Sequence, residues 1–161
     1  MKIEYEIIDK ADISDAVRSD FANALKMQGK VKGNLDRKAD RCKFVCIVKI
    51  DESVVGVGAI KKKTESDFSK DKAAVPELER DFQWELGYLY TDAKHLRKGI
   101  AKNVTRLLIE TYGNENLMAS TEISANPGMV KILESFGFRL FGKPWKSAIH
   151  ENHLGLFLRY K

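Results

Sequence analysis

The chain is short of cysteine, of metal-ligand clusters and of long apolar runs, and each shortage narrows what it can be. Cysteine occurs only at Cys42 and Cys46 in 161 residues. Both fall on one segment that reads as a strand, where the rise between them is about 13 Å, beyond the reach of a disulfide. Buried thiols are the expectation. His150 and His153 form a pair without further ligands, and no other metal-ligand spacing occurs, so no metal is expected. No apolar run approaches the ~20 residues that cross a bilayer, and Met1-Lys2-Ile3-Glu4-Tyr5 lacks the apolar stretch of a secretion signal. A cytoplasmic protein with no membrane partner is expected. Internal repeats and low-complexity tracts are missing too.

What is present suits one globular domain over residues 1–161, since 43% hydrophobic and 32% charged residues are ordinary values for a chain with one buried core. A net charge of +5 raises the question of nucleic acid. The cations are spread along the chain and are not interleaved with aromatics, so no nucleic-acid partner is expected, and Lys61-Lys62-Lys63 reads as a solvated strand end.

Periodicity supplies the elements. Ile3, Tyr5 and Ile7 alternate with Lys2, Glu4 and Glu6 as in a strand with one buried face, and Ile13, Ala16, Val17, Phe21, Ala24 and Leu25 keep helical spacing. The polar segment from Gly29 to Arg41 is expected to carry the chain over the surface. Cys42 to Ile50 and Val54 to Ile60 read as a hairpin around Asp51-Glu52-Ser53, with Gly56 and Gly58 as close-packing positions. Thr64 to Gln83 is the least regular stretch, with a short helix expected around Pro76 to Arg80. The C-terminal end reads as a strand over 138–142, a loop through Lys143-Pro144-Trp145, and a last strand where Leu154, Leu156, Leu158 and Tyr160 alternate. Trp145, His150 and His153 stand as candidate pocket residues.

Two constellations carry chemistry. In the first, a strand from Trp84 to Thr91 leads through Asp92-Ala93-Lys94-His95-Leu96-Arg97-Lys98-Gly99 into a helix whose apolar stripe is Ile100, Val104, Leu107 and Leu108, stopped by Gly113. A helix start carries unpartnered N–H groups and roughly half a positive charge, so an anion gains hydrogen bonds and dipole attraction there. Lys94, Arg97, Lys98 and Lys102 add cations suited to a diphosphate. In the second, a strand from Leu117 to Ser124 precedes Asn126, which can cap a helix with Pro127 at its first position, and Met129, Ile132, Leu133 and Phe136 form its apolar face. Gly137 ends it.

Strand, basic glycine loop, helix, strand, Asn-capped helix and Gly137-Phe138 together resemble the GCN5-related N-acetyltransferase family, well over residues 84–141 and in outline elsewhere. The resemblance implies a single-domain α/β fold, a mixed and mostly antiparallel twisted sheet of about seven strands flanked by about four helices, with splayed central strands. It implies acetyl-coenzyme A as cosubstrate. The family's loop pattern, Gln/Arg-x-x-Gly-x-Gly/Ala, is met by Gly99 and Ala101, while Leu96 replaces the Gln/Arg, leaving Arg97 or Lys98 to compensate. Amides of Leu96, Arg97, Lys98, Gly99, Ile100, Ala101 and Lys102 would hold the diphosphate. Leu89, Tyr90 and Thr91 would pair with the pantetheine amides, joined by Asn126 and by Lys131. One amide, from Leu89 or Tyr90, would face the thioester oxygen.

Acyl transfer needs a neutral amine, and an alkylamine of pKa ~10.4 pays about 4.6 kcal/mol to be deprotonated at pH 7. Glu85 stands six residues before Thr91, where histone acetyltransferases of the family carry their glutamate, and alternation sets it on one face with Gly87, Leu89 and Thr91. It is the candidate base. The tyrosine that the family uses to protonate the departing thiolate is replaced by Leu133, which leaves the phenols of Tyr88 and Tyr90 as candidates, with solvent or the ammonium product as the alternative for a thiol of pKa ~8.5. The acceptor is an amine, a small molecule in preference to a protein or peptide. An acyl-coenzyme A sensor without turnover is the alternative, and because relatives often dimerise, a homodimer stays open.

Overall fold

The computed structural model describes residues 2–149 and 151–161. The chain runs β1 (Ile3–Asp9), α1 (Asp15–Gln28), β2 (Cys42–Ile50), β3 (Ser53–Lys62), β4 (Trp84–Thr91), α2 (Ile100–Tyr112), β5 (Leu117–Glu122), α3 (Pro127–Ser135), β6 (Arg139–Lys146) and β7 (His153–Arg159). The seven strands are hydrogen-bonded in the order β1-β2-β3-β4-β5-β7-β6, a mixed and mostly antiparallel sheet as expected. Among the described residues three α-helices stand where about four were expected; the remaining helical segments are short 3-10 turns. Two compact units result. One comprises the chain up to Lys61 with Leu86–Gly113, the other Lys62–Glu85 with Asn114–Lys161.

In the first unit β1 and β2 pair from Ile3↔Ile50 to Asp9↔Phe44. The β2–β3 turn is tighter than Asp51-Glu52-Ser53, because Ser53 already pairs with Ile50. Asp51 (φ 50) and Glu52 (φ 68) both take left-handed backbone, as a two-residue hairpin turn requires. Strand alternation then sorts the faces. Ile8, Val45, Ile47, Val57 and Ala59 pack with Phe21, Ala24 and Leu25 of α1. On the other face, a Cβ at Gly58 would lie 2.6 Å from Val104 and 3.1 Å from Leu108, both on α2, and one at Gly56 would lie 3.2 Å from Ile100, so these glycines let α2 lie close on β3. Cys42 and Cys46 are free and buried, and burial pushes both thiols up to about 12. The Gly29–Arg41 passage is less superficial than its polarity implied. Leu35–Arg41 forms a 3-10 helix capped by the Asn34 side chain, and Val31, Leu35 and Ala39 join the core.

The second unit centres on β5, β7 and β6, which pair antiparallel, with Phe68, Phe82, Met118, Trp145, Leu156 and Leu158 as its core. Lys143-Pro144-Trp145 is not a loop. β6 continues through it past a bulge between Phe141 and Trp145, and the bulge contains Gly142 at φ 69, where a Cβ would lie 2.0 Å from the Ala73 carbonyl oxygen. The Lys143 amide donates to that oxygen at 2.9 Å. Because β6 ends the strand order, Pro144 is tolerated at an edge. The irregular stretch before β4 holds the 3-10 turns Glu65–Phe68 and Pro76–Asp81, the second where a short helix was expected.

Candidate active site

After β4, the Asp92 side chain accepts a hydrogen bond from the Lys94 amide at 2.9 Å and starts the 3-10 turn Ala93–His95. Leu96 is extended, Arg97 is left-handed (φ 65), and Gly99 is left-handed again (φ 75). The chain enters α2 directly from this left-handed glycine. The Asn103 amide closes the first helical turn on the Gly99 carbonyl at 2.9 Å, so the amides of Ile100, Ala101 and Lys102 precede that first bond. Gly99 offers no side-chain cap, and the first turn holds no acid. Lys94, Arg97, Lys98 and Lys102 are exposed around it, Lys98 Nζ lying 3.0 Å from His95 Nδ1. The helix itself is held firmly. Ile100 and Val104 are buried, Asn103 Nδ2 donates to the Tyr5 hydroxyl at 3.2 Å, and the Thr105 hydroxyl donates to the Ala101 carbonyl at 2.8 Å.

The same unit holds the outer part of β4. Tyr88 takes φ 57, an outlier for a bulky residue, so extended backbone does not run unbroken from Glu85 to Thr91 as simple alternation assumed. Its ring meets Phe21 edge-on at 5.6 Å, with Lys61 Nζ 5.3 Å from its centroid. The Leu89 carbonyl accepts a hydrogen bond from Gln28 Nε2 at 2.6 Å. Tyr90 and Thr91 are half-buried. Burial, and after it the negative charge of Asp92, raises the Tyr90 phenol above its ordinary value, which keeps it a proton donor.

In the second unit Glu85 is buried, at 7% exposure, and its Oε1 accepts two hydrogen bonds, from the Thr64 amide and from the Thr64 hydroxyl, each at 2.8 Å. Glu85 pairs across to Met118 of β5, which runs parallel to β4. Asn126 caps α3, its Oδ1 accepting from the Met129 amide at 3.3 Å, with Pro127 next in the chain; Asn126 and Lys131 are exposed. Leu133, where the family's tyrosine would stand, is a core side chain at 1% exposure. Gly137 (φ 90) ends α3, the Phe138 amide returning to the Leu133 carbonyl at 3.0 Å.

Leu89, Tyr90, Thr91 and Leu96 through Lys102 therefore share one unit, and Glu85, Asn126 and Lys131 the other. Of the candidate pocket residues, Trp145 is core, His153 is exposed at the start of β7, and His150 lies outside the described residues. No group of three or more His, Cys, Asp or Glu able to hold a metal occurs among the described residues. Sequence reading missed Thr64, whose bond to Glu85 joins positions 21 apart and leaves no local pattern. It also missed Gln28, which did leave one: it falls seven residues after Phe21, on a stripe otherwise apolar.

Comparison with known proteins places the chain. The profile of the Acetyltransferase (GNAT) family matches residues 11–138. The chain belongs to that family and is an acyltransferase. No curated protein matches this GNAT acetyltransferase in sequence. Its fold is similar to that of Escherichia coli ElaA, with a TM-score of 0.72, 11% identity and coverage of 98% of this chain and 99% of that one. It is similar to Salmonella typhimurium yncA, solved with its cofactor acetyl-CoA, at a TM-score of 0.64 and 17% identity, covering 99% and 94%. A GNAT family acetyltransferase from Elizabethkingia anophelis with acetyl-CoA bound gives 0.63 and 13%, covering 99% and 98%. At these identities the likeness speaks for the fold.

Proposed function

We propose that this GNAT acetyltransferase moves the acetyl group of acetyl-coenzyme A onto a primary amine by direct attack while both are bound, residues 1–161 acting as one domain. The observation that carries the reading is the start of α2, where a left-handed glycine, no side-chain cap and no acid leave the first amides to an external anion. The diphosphate of the carrier fits it, with Leu96 to Lys102 as the cradle and Arg97 or Lys98 making the side-chain contact that Leu96 does not supply. Two structural relatives solved with acetyl-CoA support the same cosubstrate. The pantetheine amides would pair along Leu89 to Thr91, where the Leu89 carbonyl is already engaged by Gln28. Asn126 and Lys131 would meet the carrier from the start and the exposed side of α3.

In the step itself the amine nitrogen forms a bond to the thioester carbon, the carbon–sulfur bond breaks, and the thiolate leaves. Glu85, its rotamer fixed by Thr64, would take the amine's proton directly or through water. Tyr90 would return a proton to the thiolate. A small-molecule amine is favoured as acceptor.

Calorimetry with coenzyme A and acetyl-coenzyme A tests the carrier, and the absence of heat and of thermal protection sinks the assignment. Thiol release across polyamines, aminoglycosides, amino acids and peptide N-termini tests turnover; binding without turnover on any amine makes the protein a sensor. Glu85→Gln keeps an oxygen for Thr64, so carrier affinity should hold while kcat falls about 100-fold and the pH–rate profile changes shape. An unchanged profile removes Glu85 from the mechanism.

A further inference from the structure

Lys38, Arg41 and Lys61 gather where β2 begins. Lys61, expected at a solvated strand end, is only 5% exposed. Alternation sets it on the face of Val57 and Ala59, opposite Cys42, and its Nζ lies 5.3 Å from the centre of the Tyr88 ring. Lys38 comes from the 3-10 helix Leu35–Arg41 and is half-buried. A Cβ at Gly33 (φ 93) would lie 3.2 Å from its Nζ, so the loop before that helix rests against the ammonium. Burial first, and then the charges of Arg41 and Lys61, lower the Lys38 ammonium below its ordinary value. Lys61 is engaged within the fold, but among the described residues neither the Lys38 ammonium nor the Arg41 guanidinium makes a hydrogen bond or an ion pair. Asp40, the acid between them in the chain, is taken by Arg18 Nε at 2.9 Å. A half-buried ammonium set against like charge costs stability, and an anion docked beside it removes that cost.

The place of these cations in the fold narrows which anion they suit. Val55, whose carbonyl accepts the Asp92 amide at 2.8 Å, marks the phosphate-loop end of β3, and Lys61 stands six residues further on, about 20 Å away at the rise of a strand. The cluster is therefore remote from the cradle proposed for the diphosphate. β4 passes β3 the other way, with Asp92 beside Val55 and Tyr88 beside Lys61, so the cations lie past Leu89, beyond the stretch proposed to pair with pantetheine. We infer that this end of the first unit is a subsite for an anionic group on the acceptor, that the preferred substrate is an amine also carrying a carboxylate or a phosphate, and that Lys38 selects it. A charge-assisted bond from an ammonium to either group is strong enough to set such a preference. The inference rests on the acetyl-coenzyme A reading above and names the class of acceptor that it leaves open.

Matched amines test it: amino acids against their amides, and phosphoethanolamine against ethanolamine. In at least one pair the anionic member should show a KM about tenfold or more below that of its neutral partner, and which pair does so tells carboxylate from phosphate. Lys38→Met should abolish the difference with kcat unchanged, and Lys38→Arg should keep it. Lys38→Glu should turn the preference toward neutral amines and polyamines. Equal KM values within both pairs overturn the inference, as does a preference that survives in Lys38→Met. Absence of coenzyme A binding by the unmodified protein is a different result, which fells the underlying reading. The subsite is then decided by thermal protection of the protein alone: protection by an anionic amine, lost in Lys38→Met, upholds it, and equal protection by both members of each pair sinks it.

Discussion

The starts of α1 and α2 belong to one unit and are built on opposite principles. At α1, Ser14 accepts the Val17 amide at 3.2 Å and Asp15 sits in the first turn against the helix dipole. At α2, a left-handed glycine stands in the capping position, the first turn holds no acid, and the nearest side chains carry positive charge. The first helix satisfies its own end. The second has no side-chain cap of its own, and the burial of Ile100, Val104 and Leu108 seats the helix without one. The cap at α3, Asn126 to the Met129 amide, sides with α1. Among the three α-helices of the described residues, α2 alone starts without a side-chain cap.

The sharpest way to break the contrast is Gly99→Asp, which places a carboxylate where the diphosphate is proposed to lie. Calorimetry should show coenzyme A affinity reduced by 100-fold or more, about 2.7 kcal/mol, while an unchanged affinity means α2's start binds nothing. Gly58→Ala attacks the seat of α2 in place of its start. The new Cβ would meet Val104 at 2.6 Å and Leu89 at 2.8 Å, so unfolding experiments should show a loss of about 1–3 kcal/mol. Ser14→Ala supplies the control at α1, costing about 1 kcal/mol of stability with coenzyme A affinity untouched. Asp92→Asn refines the picture with the smallest effect. It keeps an oxygen for the Lys94 amide but removes the charge that raises the Tyr90 phenol. The folded phenol then titrates lower, so the alkaline fall of the rate should move to lower pH; a fall that stays in place removes Tyr90 as the acid.

How much of this was legible beforehand follows from what each feature depends on. The α2 stripe and the Gly58 packing position were readable because periodicity and the missing Cβ are local properties. The β6 segment was misread because Pro144 argues against a strand unless the strand is an edge with a bulge, and edge position is a tertiary fact. The left-handed Tyr88 gave no sign, since tyrosine on a strand normally marks extended backbone. Glu85 was singled out as a candidate by its place on β4, yet Thr64, which hydrogen-bonds its carboxylate, comes from a stretch whose sequence is nearly patternless. Gln28 was visible as a polar interruption of an apolar stripe, and was passed over because one such residue at a helix end usually faces water.

The depth at which β2 hides its two sulfur atoms has a practical outcome for all of these measurements. Disulfide-exchange dyes need a thiolate, and the native protein presents almost none at assay pH. Colour developed during turnover then reports the released carrier alone, and a stepwise rise in dye uptake on adding denaturant becomes an internal gauge of how much enzyme was folded when the rate was taken.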